Sequence, residues 1–139
     1  MASIAALRDA LASRLIAAYA GTNIQVYDSV PGQINTPCVV VEPASGDYHQ
    51  TLGSADQTMH QMSVIAIAFL GERAAAQDQI DALISNTGAQ SIKAAIEGDR
   101  TLGGAALWCD ASGYRDYGTR EYSGQNYLMA TVDVQLYAA

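Results

Sequence analysis

Lysine is almost absent from this sequence: Lys93 stands alone, and Lys and Arg together number 7 against 14 acidic residues, for a formal charge of −7. A chain so poor in cations is not built to grip a nucleic-acid backbone, because affinity there comes from Lys and Arg displacing condensed counterions. Cysteine is scarce too. Cys38 and Cys109 are far apart and sit in apolar, strand-like runs, so they read as two buried, reduced thiols of a protein made in a reducing cytoplasm, not as a disulfide framework. No segment approaches the ~18 apolar residues of a membrane span. The opening MASIAALRDALASRL mixes charges among its apolar residues and is expected to be neither signal peptide nor anchor. Only 15% of residues are charged while 50% are hydrophobic, which describes a folded domain with few charges for its surface, part of which is expected to meet other proteins. Repeats, low-complexity stretches and linkers are missing. A length of 139 residues suits one domain spanning the whole chain, with a core large enough to need no staple.

Reactive signatures are equally thin. There is no G-x-S-x-G, and a cysteine nucleophile would have to be one of the two strand thiols. His49 and His60 are the only histidines; their spacing and neighbours match no zinc pattern, and they read as surface or hairpin residues. Asp78 with Asp81, and Glu97 with Asp99, are close enough in sequence to share a cation or a proton, but no calcium-loop spacing accompanies them and a solvated polar face is the better reading. The Gly103-Gly104 pair leaves a helix and enters a strand, the reverse of a phosphate loop, and no Lys-Ser or Lys-Thr follows. It reads as turn chemistry. No cofactor or metal is expected.

What is present is periodicity. Ile4, Leu7, Leu11, Leu15 and Tyr19 recur at helical steps, with Ser3 as a cap and Gly21 as a stop. NIQVYD reads as a short strand. A Pro31-Gly32 turn and an extended Thr36 ahead of Pro37 then lead into a second strand, CVVVEPA. That strand and TMHQMSVIAIAFLG should form a long hairpin. From Val64 to Leu70 every position is apolar, so both faces need cover: a helix on one, another subunit as a candidate for the other. Ala76, Ile80, Leu83 and Ile84 mark a second helix with Asp78, Asp81 and Ser85 outward, and Gly88 is expected to end it. Ile92, Ala95 and Ile96 mark a short third helix, after which Gly98 is expected to be left-handed. AALWCDASGYRDYG and YLMATVDVQLYA close the chain as strands. In the last, Leu128, Ala130, Val132, Val134 and Leu136 alternate with Met129, Thr131, Asp133 and Gln135, predicting one buried and one wetter face. The order α-β-β-β-α-α-β-β predicts an α+β fold: a mainly antiparallel sheet of four to five strands flanked by two main helices and one short helix.

The least ordinary segment is GYRDYGTREYSGQNY, Gly113 to Tyr127. It gathers Tyr114, Tyr117, Tyr122 and Tyr127 with Arg115 and Arg120 around the last hairpin. Tyr and Arg dominate interface hot spots, because each combines contact area with hydrogen bonding. Tyr114, Arg115, Tyr117, Arg120 and Tyr122 are therefore candidate interface residues, together with Tyr48 on the loop Ser45 to Gln57. The plainer alternative is that these tyrosines only cover their own strands.

Taken together, VYDSVPGQINTPCVVVEP before a long hairpin, ERAAAQDQIDALIS, the Ile-x3-Ile-x2-Asp-x2-Leu-Gly-Gly run from Ile92 to Gly104, and a closing YLMATVDVQLYA resemble the tail-terminator family of long-tailed bacteriophages, also called tail-completion or minor tail proteins. The resemblance implies a virion protein, assembled in the host cytoplasm. It implies a homo-oligomeric ring, usually of six copies, that caps the head-proximal end of the tail tube, stops its polymerisation and offers a surface to the head-side connector. It implies no catalytic residues, no membrane, and DNA passing through the channel without specific binding. Six copies at −7 each would carry about −42, so acids facing the channel would repel DNA at short range, with a screening length of ~8 Å. Asp47, Asp56 and Asp116, expected on hairpin loops, are the candidates. Two alternatives remain open: a head-side connector or stopper, and a small hydrolase or metal-dependent enzyme using His49 or His60.

Overall fold

The computed structural model describes residues 4–28, 36–47, 58–71, 73–122 and 124–138. Its elements follow the expected order: α1 (Ile4–Ala18), β1 (Gln25–Tyr27), β2 (Cys38–Asp47), β3 (Thr58–Phe69), α2 (Arg73–Ile84), α3 (Ile92–Glu97), β4 (Trp108–Tyr122) and β5 (Gln125–Ala138), with one 3-10 turn at Leu102–Gly104. The strands form one sheet in the order β1-β2-β3-β5-β4. Three of the four pairings are antiparallel; β1 runs parallel to β2, Gln25 opposite Cys38. The fold is α+β. No described helix is long and apolar enough to cross a membrane.

The hydrophobic stripes place all three helices on one face of the sheet. Leu7, Leu11 and Leu15 of α1, Ile80 and Leu83 of α2, and Ile92 and Ile96 of α3 are fully buried against Val39, Val41, Val64, Ala66, Val132 and Val134. Alternate residues of the same strands point the other way. There Cys38, Val40, Ile67, Tyr127 and Met129 form a smaller buried cluster, with Tyr27 and Ile65 packed against it. The apolar run from Val64 thus has both faces at work, as its composition demanded, except that Phe69 remains 55% exposed, set edge-on to Tyr127 with ring centroids 6.4 Å apart.

The short helix α3 is held by polar contacts at both ends. Ser91 caps it by accepting the Ala94 N–H at 3.1 Å, while its own hydroxyl donates to the Ser85 carbonyl at 2.5 Å and so ties α3 to the end of α2. At the other end Arg14 reaches across from α1 and donates to the Ala95 carbonyl at 2.6 Å. Gly98 lies beside that guanidinium: a methyl group there would come within 2.5 Å of Arg14 Nη2.

Several expectations need correction. Gly98 is right-handed (φ −67°); its small size makes room for Arg14. The left-handed residues of this turn come later, at Leu102 (φ 51°), Gly103 (φ 72°) and Gly104 (φ 98°). Ile4 opens α1 on its exposed side, one turn beyond the sheet-facing stripe. The wetter face of β5 begins only at Asp133, because Met129 and Thr131 are buried, Met129 within the Cys38, Val40 and Ile67 cluster. His60 lies on the β2-β3 hairpin opposite Gly46, but it is buried. The Pro31-Gly32 turn, Ser3 and His49 lie outside the described residues.

Candidate functional site

β4 differs from every other long strand. It lies at the edge of the sheet opposite β1, paired among the described strands only to β5, and residues 112–117 and 119–121 are all solvent-exposed. Two register shifts against β5, between Ala111 and Gly113 and between Arg115 and Gly118, leave extra residues on β4, and such bulges bend a strand and re-aim its side chains. The second has Asp116 at φ 57°, a left-handed conformation that Asp tolerates better than most residues.

The bulge gathers charges. Arg115 Nη1 donates to Asp116 Oδ2 at 2.5 Å, and Arg120 Nη2 lies 3.7 Å from Asp116 Oδ1. Arg115 Nε also reaches both Asp133 oxygens at 3.1 Å, and its Nη2 donates to Ser63 Oγ at 3.3 Å. Arg115 therefore bridges β4, β5 and β3, and two cations balance two carboxylates. Asp133 and Ser63 were not singled out in the sequence. Asp133 could have been found as the first charged residue on the wetter side of the last strand; Ser63 carries no local signal.

The tyrosines divide. Tyr117 is 37% exposed and donates its hydroxyl to Asp81 Oδ1 on α2 at 2.8 Å. Partial burial, then the bond to Asp81 and its negative charge, push the Tyr117 hydroxyl up to about 12. Tyr114 is 59% exposed. Tyr122 ends β4. These residues belong to a long strand and not to a hairpin loop, because the β4-β5 ladder continues to the Tyr122–Gln125 pair. The same ladder corrects Asp116, which lies within β4, and Asp47 is the last residue of β2. Tyr48 and Asp56 lie outside the described residues.

No protein-family model matches the chain, and no curated protein does either.

The other candidate residues sit in the following surroundings. At the Gly-Gly turn, Asp99 accepts from the Gly103 N–H at 3.0 Å and from the Thr101 hydroxyl at 3.0 Å; the side-chain bond from Thr101 and the Gly103 N–H lower its carboxyl below the ordinary value. Burial acts to raise the Glu97 carboxyl, but bonds from Lys93 and the Ala111 N–H, with the charges of Lys93 and Arg100, outweigh it and hold that carboxyl low. Asp78 and Asp81 are exposed on α2. Among the described residues no group of three or more His, Cys, Asp or Glu comes together as a metal site. Cys38 and Cys109 are buried and free, on opposite faces of the sheet. Burial pushes the Cys38 thiol up to about 12 and the Cys109 thiol to about 11, which removes the thiolate that nucleophilic chemistry needs.

Proposed function

We propose that this protein is a structural, non-enzymatic component of a phage tail: a ring, of six copies by family resemblance, that caps the head-proximal end of the tail tube, ends its polymerisation and offers a joining surface to the head-side connector. The observation that carries the proposal is the exposure of β4 on both of its faces, Tyr114 and Tyr117 on the helix side and the Arg115 ion-pair cluster on the other, in a strand with no partner strand on its outer side among the described residues. Large aromatic groups and preset guanidinium groups on a rigid strand are suited to protein contact. The acids proposed to repel DNA in the channel then reduce to Asp47 and Asp56, because Asp116 is offset at close range by two arginines.

Electron microscopy of particles made with and without the protein tests the reading. Tails of uncontrolled length that fail to join heads are expected in its absence, and the same defect in reduced form for Tyr114→Ala combined with Arg120→Ala. Normal tails that join heads normally in its absence overturn it. The head-side stopper reading predicts instead that the purified protein binds filled heads and not isolated tails. An enzyme using His49 or His60 would lose turnover on replacement of both, while a ring component would still assemble.

A further inference from the structure

Along an outer strand every second residue turns its N–H and C=O away from the sheet, where an added strand would bind them. Cys109 and Ala111 are two such positions on β4, in the regular stretch Trp108–Ala111 that precedes the first register shift. Both are already engaged. Arg100 Nη1 donates to the Cys109 carbonyl at 3.4 Å, and the Ala111 N–H donates to Glu97 Oε2 at 3.4 Å. One side-chain donor and one side-chain acceptor thus stand where a neighbouring strand would offer its own.

The two side chains form a unit. Arg100 Nη2 lies 3.2 Å from Glu97 Oε1, and Glu97 is only 16% exposed; Lys93 engages the same oxygen. Arg100 also lies over the Trp108 ring, its guanidinium carbon 4.5 Å from the ring centroid. Cys109 packs into the core beneath the helices, so Trp108, the preceding residue, points to the opposite face of the sheet. Arg100 therefore starts from the turn after α3, crosses the edge of β4 and ends on the far face.

We propose that Glu97 and Arg100 form a strap that closes the outer edge of β4 at Cys109–Ala111 and keeps a second copy of this chain from adding a strand there. The strap satisfies the two outward backbone groups, and the guanidinium over Trp108 obstructs the approach. The proposal does not depend on the ring reading. It leaves the side chains beyond residue 111 as the accessible part of β4.

Hydrogen exchange and sedimentation of the full chain test it. In Glu97→Ala the Ala111 amide should exchange about fivefold to tenfold faster, the effect of one lost hydrogen bond. Arg100→Ala, and Glu97→Ala with Arg100→Ala, should form a larger species than the parent does at the same concentration. Lys93→Gln leaves both edge contacts in place and should change neither measurement. Proline removes an outward N–H without breaking the ladder, so adding Ala111→Pro to the double variant should restore the parent's sedimentation. Where Arg100→Ala does not fold, Arg100→Lys makes the same comparison, because an ammonium cannot reach Glu97, Cys109 and the Trp108 face together; it should associate to a smaller extent. An Ala111 amide that exchanges no faster in Glu97→Ala, folded strap variants that sediment as the parent does, or association that survives Ala111→Pro overturns the proposal.

Discussion

β5 and β4 are partners in one antiparallel ladder, yet they live in different environments. From Tyr127 to Val132 every residue of β5 is buried, on both faces, because helices cover one side and β3 and β4 flank it. From Ser112 to Tyr117 every residue of β4 is exposed. Composition separates them: β4 holds five charged residues and one aliphatic residue, Ala111, whereas β5 holds one charged residue, Asp133, among Leu, Met and Val. Position in the sheet matches that division. Burying apolar area gives roughly 25 cal/mol per Å², and only the inner strands and the helices above them collect it. The outer strand is left free to present Tyr and Arg side chains to another molecule.

The widest gap between the two regions should appear on truncating the core beneath the inner strands. Leu83 is fully buried, and Leu83→Ala is expected to cost about 2–5 kcal/mol in denaturant unfolding; a loss under about 1 kcal/mol would mean that α2 is not held as described. Next comes the junction that delivers the chain into β4. Gly103 sits at φ 72° with open space around it, so Gly103→Val tests backbone strain alone, at about 1–2 kcal/mol in the same measurement.

On β4 the effects should be small. Tyr117→Phe removes one hydrogen bond on a partly exposed side chain and should cost at most about 1 kcal/mol. The pH dependence is more informative. The Tyr117 hydroxyl is raised in the folded state, from 10 to about 12, so its contribution is complete below pH 10 and is lost as pH rises from 10 towards 12. Ultraviolet titration should show a late-ionising tyrosine that Tyr117→Phe removes; a titration unchanged by the substitution would detach Tyr117 from Asp81. Smallest of all, Arg115→Gln should leave the melting temperature unchanged while altering partner binding, since exposed ion pairs contribute little to stability. A large drop in melting temperature would make the three-strand bridge a structural brace and erase the contrast.

The sequence disclosed the element order and the helix-facing core because periods of two and 3.6 residues are local signals that burial reinforces. The parallel pairing of β1 with β2 was not legible, since Gln25–Tyr27 is too short to carry a pattern. Gly98 misled because a glycine after a helix has two uses, and the one served here depends on Arg14, 84 positions earlier. The tyrosines were visible as residue types, and the strand reading of Ala105 to Gly118 already held Tyr114 and Tyr117; local order did not show that the pairing to β5 continues to Tyr122. The contacts of Arg115 with Asp133 and Ser63, and of Tyr117 with Asp81, span 18 to 52 positions and leave no trace in local order.

The two bulges on β4 have one more effect, on solubility. A straight outer strand of 15 residues would expose an unbroken row of amide and carbonyl groups, a template on which further chains could stack into fibrils. Each register shift interrupts that row, and charged groups at Arg115, Asp116, Arg120 and Glu121 stand along it. The molecule can therefore be crowded at high local concentration without its open edge seeding runaway aggregation.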